Sequence, residues 1–163
     1  MRTFNYVSGA DITKTPAHQQ NAKHKRILIV EDNQLNSKLL KQLLTAYGYE
    51  VWESQEGSRA LDLARDEQPD LILMDIILPG ISGLEVTRLL KQDDQTKTIP
   101  IIAVTALASP EYEKKGWESG CDAYILKPII LDNFLRTIES FLKIGADAHD
   151  FRMISSPGMP DPF

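Results

Sequence analysis

Asp70-Leu71-Ile72-Leu73-Met74 is an apolar run of strand length that ends on Asp75. Four consecutive large apolar residues, with no polar alternation, fit a strand covered on both faces. Similar runs recur on either side. Arg26-Ile27-Leu28-Ile29-Val30 comes first, Tyr49 to Glu53 second, Pro100-Ile101-Ile102-Ala103-Val104 fourth and Ala123 to Leu126 fifth. Pro100 suits the first position of a strand, where no ladder hydrogen bond is lost. Amphipathic stretches lie between the runs. Leu35, Leu39, Leu40, Leu43, Leu44 and Tyr47 recur at helical spacing, and Gly48 closes the stretch. Ala60, Leu61 and Ala64 mark a second helix that stops before Pro69, and Leu84, Val86, Leu89 and Leu90 a third, after a loop with Pro79 and Gly80. Ser109-Pro110-Glu111 reads as the N-cap, first position and acidic first turn of a fourth. Leu131, Phe134, Leu135, Ile138, Phe141 and Leu142 form the last, closed by Gly145. Five alternating strand–helix units predict an α/β fold: a doubly wound, five-stranded parallel sheet with helices on both faces and right-handed crossovers.

The chain has 163 residues, enough for one domain with a real core and too few for two comfortable ones. A formal net charge of −5 and the lack of a basic cluster beyond Lys23 to Arg26 argue against nucleic-acid binding. Met1 to Lys25 is polar and aperiodic, and is expected to be a flexible N-terminal extension. Residues 26–144 form the domain. Residues 145–163, with Pro157, Pro160 and Pro162, are expected to be a flexible tail. Cys121 is the single cysteine, so neither an internal disulfide nor a thiolate metal site is available, and a cytoplasmic location fits. No apolar signal core opens the chain and no run reaches bilayer length, so no membrane contact is expected.

In a parallel sheet of this kind ligands bind outside the carboxyl ends of the strands. Glu31, Asp32 and Asn33 follow the first strand, Asp75 the third, Thr105 and Ala106 the fourth, and Lys127 and Pro128 the fifth. Three carboxylates, a hydroxyl and an ammonium thus converge on one edge. Crowded carboxylates call for a cation, and Mg²⁺ suits a few hard oxygens while keeping several waters. Asp75 can act as a carboxylate nucleophile toward phosphorus. Mg²⁺ and Lys127 would neutralise charge on the transferring group, and Thr105 would donate a hydrogen bond to it. Each residue alone has a plainer reading as a turn former, cap or solvated side chain. Their coincidence at successive strand ends carries the inference. Trp52 and Trp117 read as half-buried surface aromatics, and His18, His24 and His149 as solvated side chains.

Residues 27–33, Pro69 to Pro79, Ser82 to Glu85, Ile99 to Ala106 and Gly120 to Pro128 resemble the motifs of two-component response-regulator receiver domains, in order and at every strand end. The chain is most similar to single-domain members that control the cell cycle. The resemblance implies the flavodoxin-like strand order 2-1-3-4-5. It also implies that Asp75 is the phosphoacceptor, that Asp32, Asp75 and the backbone carbonyl of Ile77 ligate Mg²⁺, and that Glu31 acts through a metal-bound water. Lys127 would pair with the phosphoryl group, its peptide bond to Pro128 being cis, and Thr105 and Tyr124 would be the switch pair. The phosphodonor would be a histidine kinase or a histidine phosphotransfer protein. A downstream protein would dock on the face of the fourth helix, fifth strand and fifth helix, with Ile129 and Ile130 as contacts. Ile77 and Leu107, two residues past Asp75 and Thr105, would flank the water that hydrolyses the acyl phosphate. Glu31 departs from the Asp found in many members.

Other functions fit less well. A phosphatase with an Asp nucleophile of the haloacid-dehalogenase type needs a second Asp where Ile77 stands. A dinucleotide-binding protein needs a Gly-x-Gly-x-x-Gly after the first strand, and none is there. A phosphorylation-independent scaffold is the remaining alternative, against which the intact Asp75, Thr105 and Lys127 argue. The expected protein is a phosphoacceptor, not a turnover enzyme.

Overall fold

The structure, a computed structural model, describes residues 25–143. The expectations for the two terminal segments, for His18, His24 and His149 and for Gly145 lie outside the described residues. Five strands and five helices alternate: β1 (Arg26–Val30), α1 (Gln34–Ala46), β2 (Glu50–Ser54), α2 (Gly57–Glu67), β3 (Leu71–Met74), α3 (Gly83–Gln92), β4 (Ile101–Thr105), α4 (Pro110–Ser119), β5 (Ala123–Leu126) and α5 (Leu131–Lys143). All strand pairs are parallel, in the order β2-β1-β3-β4-β5. The register sets Val30 beside both Ser54 and Met74, so the chain segments after β1 and β3 leave the sheet side by side.

Alternation along each strand builds a core on each face. Leu28, Val30, Ile72, Met74, Ile101 and Ala103 pack with Ala60, Ala64, Val86 and Leu90 of α2 and α3. Ile27, Ile29, Leu71, Leu73, Ile102 and Val104 pack with Leu40 and Leu44 of α1 and with Phe134, Leu135 and Ile138 of α5. Burying a side chain of this size contributes about 1.5–3 kcal/mol, so the doubly covered central strands anchor the fold.

The helix ends follow their sequence signals. Asn33, Ser82 and Ser109 accept the backbone N–H of Asn36, Glu85 and Tyr112. Gly48 turns the chain after α1 at φ +89. The end of α2 was not legible: Gln68 takes a left-handed φ of 48, and its side-chain amide donates to the carbonyls of Arg65 and Gln95. Three strands shift by a residue. Asp70 precedes β3, while β2 and β4 each start and end one residue later than expected. Tyr49, buried against the α1–α5 core, and Pro100 therefore precede them, and Ser54 and Thr105 close them.

Candidate functional site

The site lies where β1, β3, β4 and β5 end. Asp75 leaves β3 with its N–H donating to the Val30 carbonyl at 2.9 Å, which ties it to the end of β1. Its Oδ1 accepts the N–H of Ile77 at 2.9 Å, which fixes the carboxylate plane. Its Oδ2 accepts from Lys127 Nζ at 3.0 Å. The same ammonium donates to Glu31 Oε2 at 2.5 Å, while Glu31 Oε1 accepts the N–H of Asn33 at 3.2 Å. Lys127 therefore bridges two buried carboxylates, and both oxygens of Glu31 are engaged. Burial works against the Lys127 charge, but hydrogen bonds to Glu31 and Asp75 outweigh it and hold its pKa above the ordinary lysine value.

Glu31, Asp32 and Asp75 each offer an oxygen within 4.8 Å of the others. Asp32 is exposed whereas Glu31 and Asp75 are buried, so the cluster opens to solvent on the Asp32 side. This hard-oxygen set, with one solvent-facing member, fits Mg²⁺ with retained waters. The sequence places Glu31 in this cluster, and the structure brings it there, with Lys127 as its ion-pair partner.

Thr105 ends β4 and is wholly buried. Its Oγ1 accepts the N–H of Leu107 at 3.4 Å. The Leu107 carbonyl accepts the Tyr124 hydroxyl at 2.8 Å. Burial first, then electrostatic interaction with Glu113, Cys121 and Asp75, pushes the Tyr124 phenol up to about 12, so it stays a donor at physiological pH. The Lys127–Pro128 peptide bond is cis.

Three features of the site were missed. The Leu107 peptide, joining Thr105 to Tyr124, has no sequence signal. Gly83 at the start of α3 lies so close to Asp75 that a Cβ there would stand 1.9 Å from the Asp75 carbonyl oxygen. The Ser82-Gly83 pair could have suggested a close approach. Leu35 and Leu39 share the helical spacing of the α1 leucines yet are 65% and 55% exposed on its outer side, and Ser37 is buried instead. Its hydroxyl donates to Glu53 on β2 at 2.7 Å. Of the two expected docking contacts, Ile130 is 67% exposed, while Ile129 packs against the α1–α5 core. Leu107 likewise packs against the core on the α2–α3 face, and Ile77 is exposed. Trp52 is half-buried, with Arg26 over its ring, and Trp117 is exposed.

Comparison with known proteins agrees with this geometry. The family model described as "Response regulator receiver domain" matches residues 27–139. The polar-differentiation response regulator DivK of Brucella anthropi is 54% identical over 118 residues, which span 72% of this chain and 96% of that protein. DivK of Brucella ovis is 53% identical over the same share. Among solved structures, a CheY-like response regulator receiver domain protein from Methanospirillum hungatei is 34% identical with a TM-score of 0.69, covering 73% of this chain and 94% of that one. The receiver domain of a sensor histidine kinase from Pseudomonas aeruginosa, with a magnesium ion coordinated in its active-site cleft, is 30% identical with a TM-score of 0.69, covering 73% and 98%. The sheet order, the strand-end carboxylates and these matches converge, and the chain belongs to the response regulator receiver domain family of two-component signalling.

Proposed function

We propose that the chain carries a phosphorylation switch: Asp75 accepts a phosphoryl group from a phosphohistidine, and Thr105 and Tyr124 relay the change to a protein-docking face. The observation that carries this reading is the Asp75 carboxylate, held by Ile77 N–H and by Lys127 beside two further carboxylates. In the transfer a carboxylate oxygen of Asp75 forms the new P–O bond as the P–N bond to the donor imidazole breaks, and the imidazole leaves with that electron pair. Asp32, Asp75 and the Ile77 carbonyl, with Glu31 alongside, would hold Mg²⁺, which would supply positive charge toward the phosphoryl oxygens. Lys127 pairs with the group once it is on Asp75, and Thr105 donates to it. The donor is a histidine kinase or a histidine phosphotransfer protein. The downstream target docks on the face of α4, β5 and α5, where Trp117, Leu126 and Ile130 are exposed. The protein works in the cytoplasm, and the domain occupies residues 26–144. No helix among the described residues is long and apolar enough to cross a membrane.

Intact mass after treatment with a small-molecule phosphodonor and Mg²⁺ tests the reading. Wild type should gain one phosphoryl group. Asp75→Ala should gain none while staying folded, and Asp32→Ala should bind Mg²⁺ far more weakly by calorimetry. Phosphate retained elsewhere in Asp75→Ala would overturn the acceptor assignment, and an unphosphorylated wild type would favour the scaffold alternative.

A further inference from the structure

Gly116 lies in the seventh position of α4 and is buried. Its φ is not in the left-handed region, so the backbone does not require glycine there. Glycine is also the poorest helix former after proline, so the helix itself gains nothing from it. What the position gains is space. A Cβ built on Gly116 would stand 3.1 Å from both Cδ2 and Cε2 of Tyr124. Beyond the helix backbone and the chain neighbours, no other described atom comes within 4 Å of it. The gap therefore fits one ring.

The other end of that ring is also fixed, by the hydroxyl's bond to the Leu107 carbonyl at 2.8 Å. The Leu107 N–H points to Thr105 Oγ1 at 3.4 Å, a long bond that a rotated hydroxyl would give up. Leu107 in turn leads through Ser109, the N-cap, into α4 and back to Gly116. Thr105, Leu107, Tyr124 and Gly116 thus form a closed circuit between the end of β4 and the output face.

Resting on the switch reading of Thr105 and Tyr124, we propose that Gly116 is a positioning residue of the switch: its missing side chain seats the Tyr124 ring, which braces the Leu107 peptide against Thr105. A methyl at 116 moves the ring by a few tenths of an ångström, weakens its hold on Leu107, and loosens the coupling between Asp75 and α4.

The test uses the full chain as wild type, Gly116→Ala, Tyr124→Ala and the double variant. Without phosphodonor, the Tyr124 ring signals in NMR should shift in Gly116→Ala, and hydrogen exchange at Leu107 should quicken. With Mg²⁺ and beryllofluoride as the phosphoryl mimic, Gly116→Ala should bind the mimic about 5-fold or more weakly, the lower end of ordinary coupling between sites. In the Tyr124→Ala background the same substitution should change mimic affinity less than about 2-fold. Unmoved ring signals, or an equal fold-change with and without the Tyr124 ring, would overturn the proposal. If Gly116→Ala alone fails to fold, the double variant should recover folding, because the crowded ring is gone; an unfolded double variant would overturn the seat. A wild type that binds no mimic defeats the phosphorylation reading, and the ring signals of the unphosphorylated protein then still decide the seat.

Discussion

Glu31 and Lys127 lie at opposite ends of the domain's sequence and meet at 2.5 Å. Each was legible as a candidate, since each follows a strand in a fold whose ligands sit at strand ends. Their pairing was not, because it depends on how far two flexible side chains reach. The same limit applies to Ile77 and Leu107, which share a spacing from Asp75 and Thr105 but not a setting: Ile77 is 53% exposed and Leu107 packs against the core. Ile77 alone is therefore the residue to change. Its alkyl side chain can accept no hydrogen bond from a water approaching an acyl phosphate on Asp75. Orienting and general-base groups contribute about 10²–10⁴-fold when fully engaged, and orientation alone contributes less. Ile77→Asn should speed loss of the phosphoryl group several-fold, measured as decay of the phosphoprotein by intact mass. An unchanged decay rate, with phosphorylation intact, would show that Ile77 does not set the lifetime.

Elements were legible in kind and less so in facing. The leucines of α1 satisfy a helical period on more than one side, and period alone does not say which side meets the sheet. Ser37 decides it: its hydroxyl turns inward to Glu53, which Lys41 also holds at 3.0 Å. The Ser37 hydrogen bond, ahead of Lys41, keeps Glu53 below the usual carboxylate range. A lowered folded pKa stabilises the fold above the ordinary carboxylate pKa, and the gain fades as pH falls through the lowered value. At α3 the helix start and Asp75 are joined by close packing of their backbones. Gly83 N–H donates to the Ile76 carbonyl at 2.9 Å, and a Cβ at residue 83 would collide with the Asp75 backbone. Neither backbone can yield without moving the other. Gly83→Ala should therefore destabilise by roughly 1–3 kcal/mol, the usual cost of overpacking, and should slow phosphorylation of Asp75 as well. A urea midpoint and a phosphorylation rate equal to wild type would show that α3 shifts freely at this contact.

At the scale of the molecule, the alternation of apolar runs with amphipathic stretches was enough to fix the class, because a buried parallel sheet needs helices on both faces. Both cores close within the described residues, from Ile27 to Ile138. The two edge strands differ in cover. β2 is held by α1 through Ser37 and Lys41, whereas β5 is half-buried along its length and ends on exposed Leu126. The proposed phosphorylation site lies at the doubly covered centre, and the proposed output lies beside the less covered edge, where movement disturbs fewer contacts. If the folding energy resides in these two cores, the flanking segments 1–24 and 144–163 are dispensable for it. A chain of residues 25–143 should melt within about 5 °C of the full chain, the shift that roughly 1 kcal/mol produces in a domain of this size. It should also gain one phosphoryl group on Asp75 at a comparable rate. A larger fall in Tm with phosphorylation retained would assign the missing stability to contacts made by the terminal segments. Loss of both would mean that the domain extends beyond the two cores.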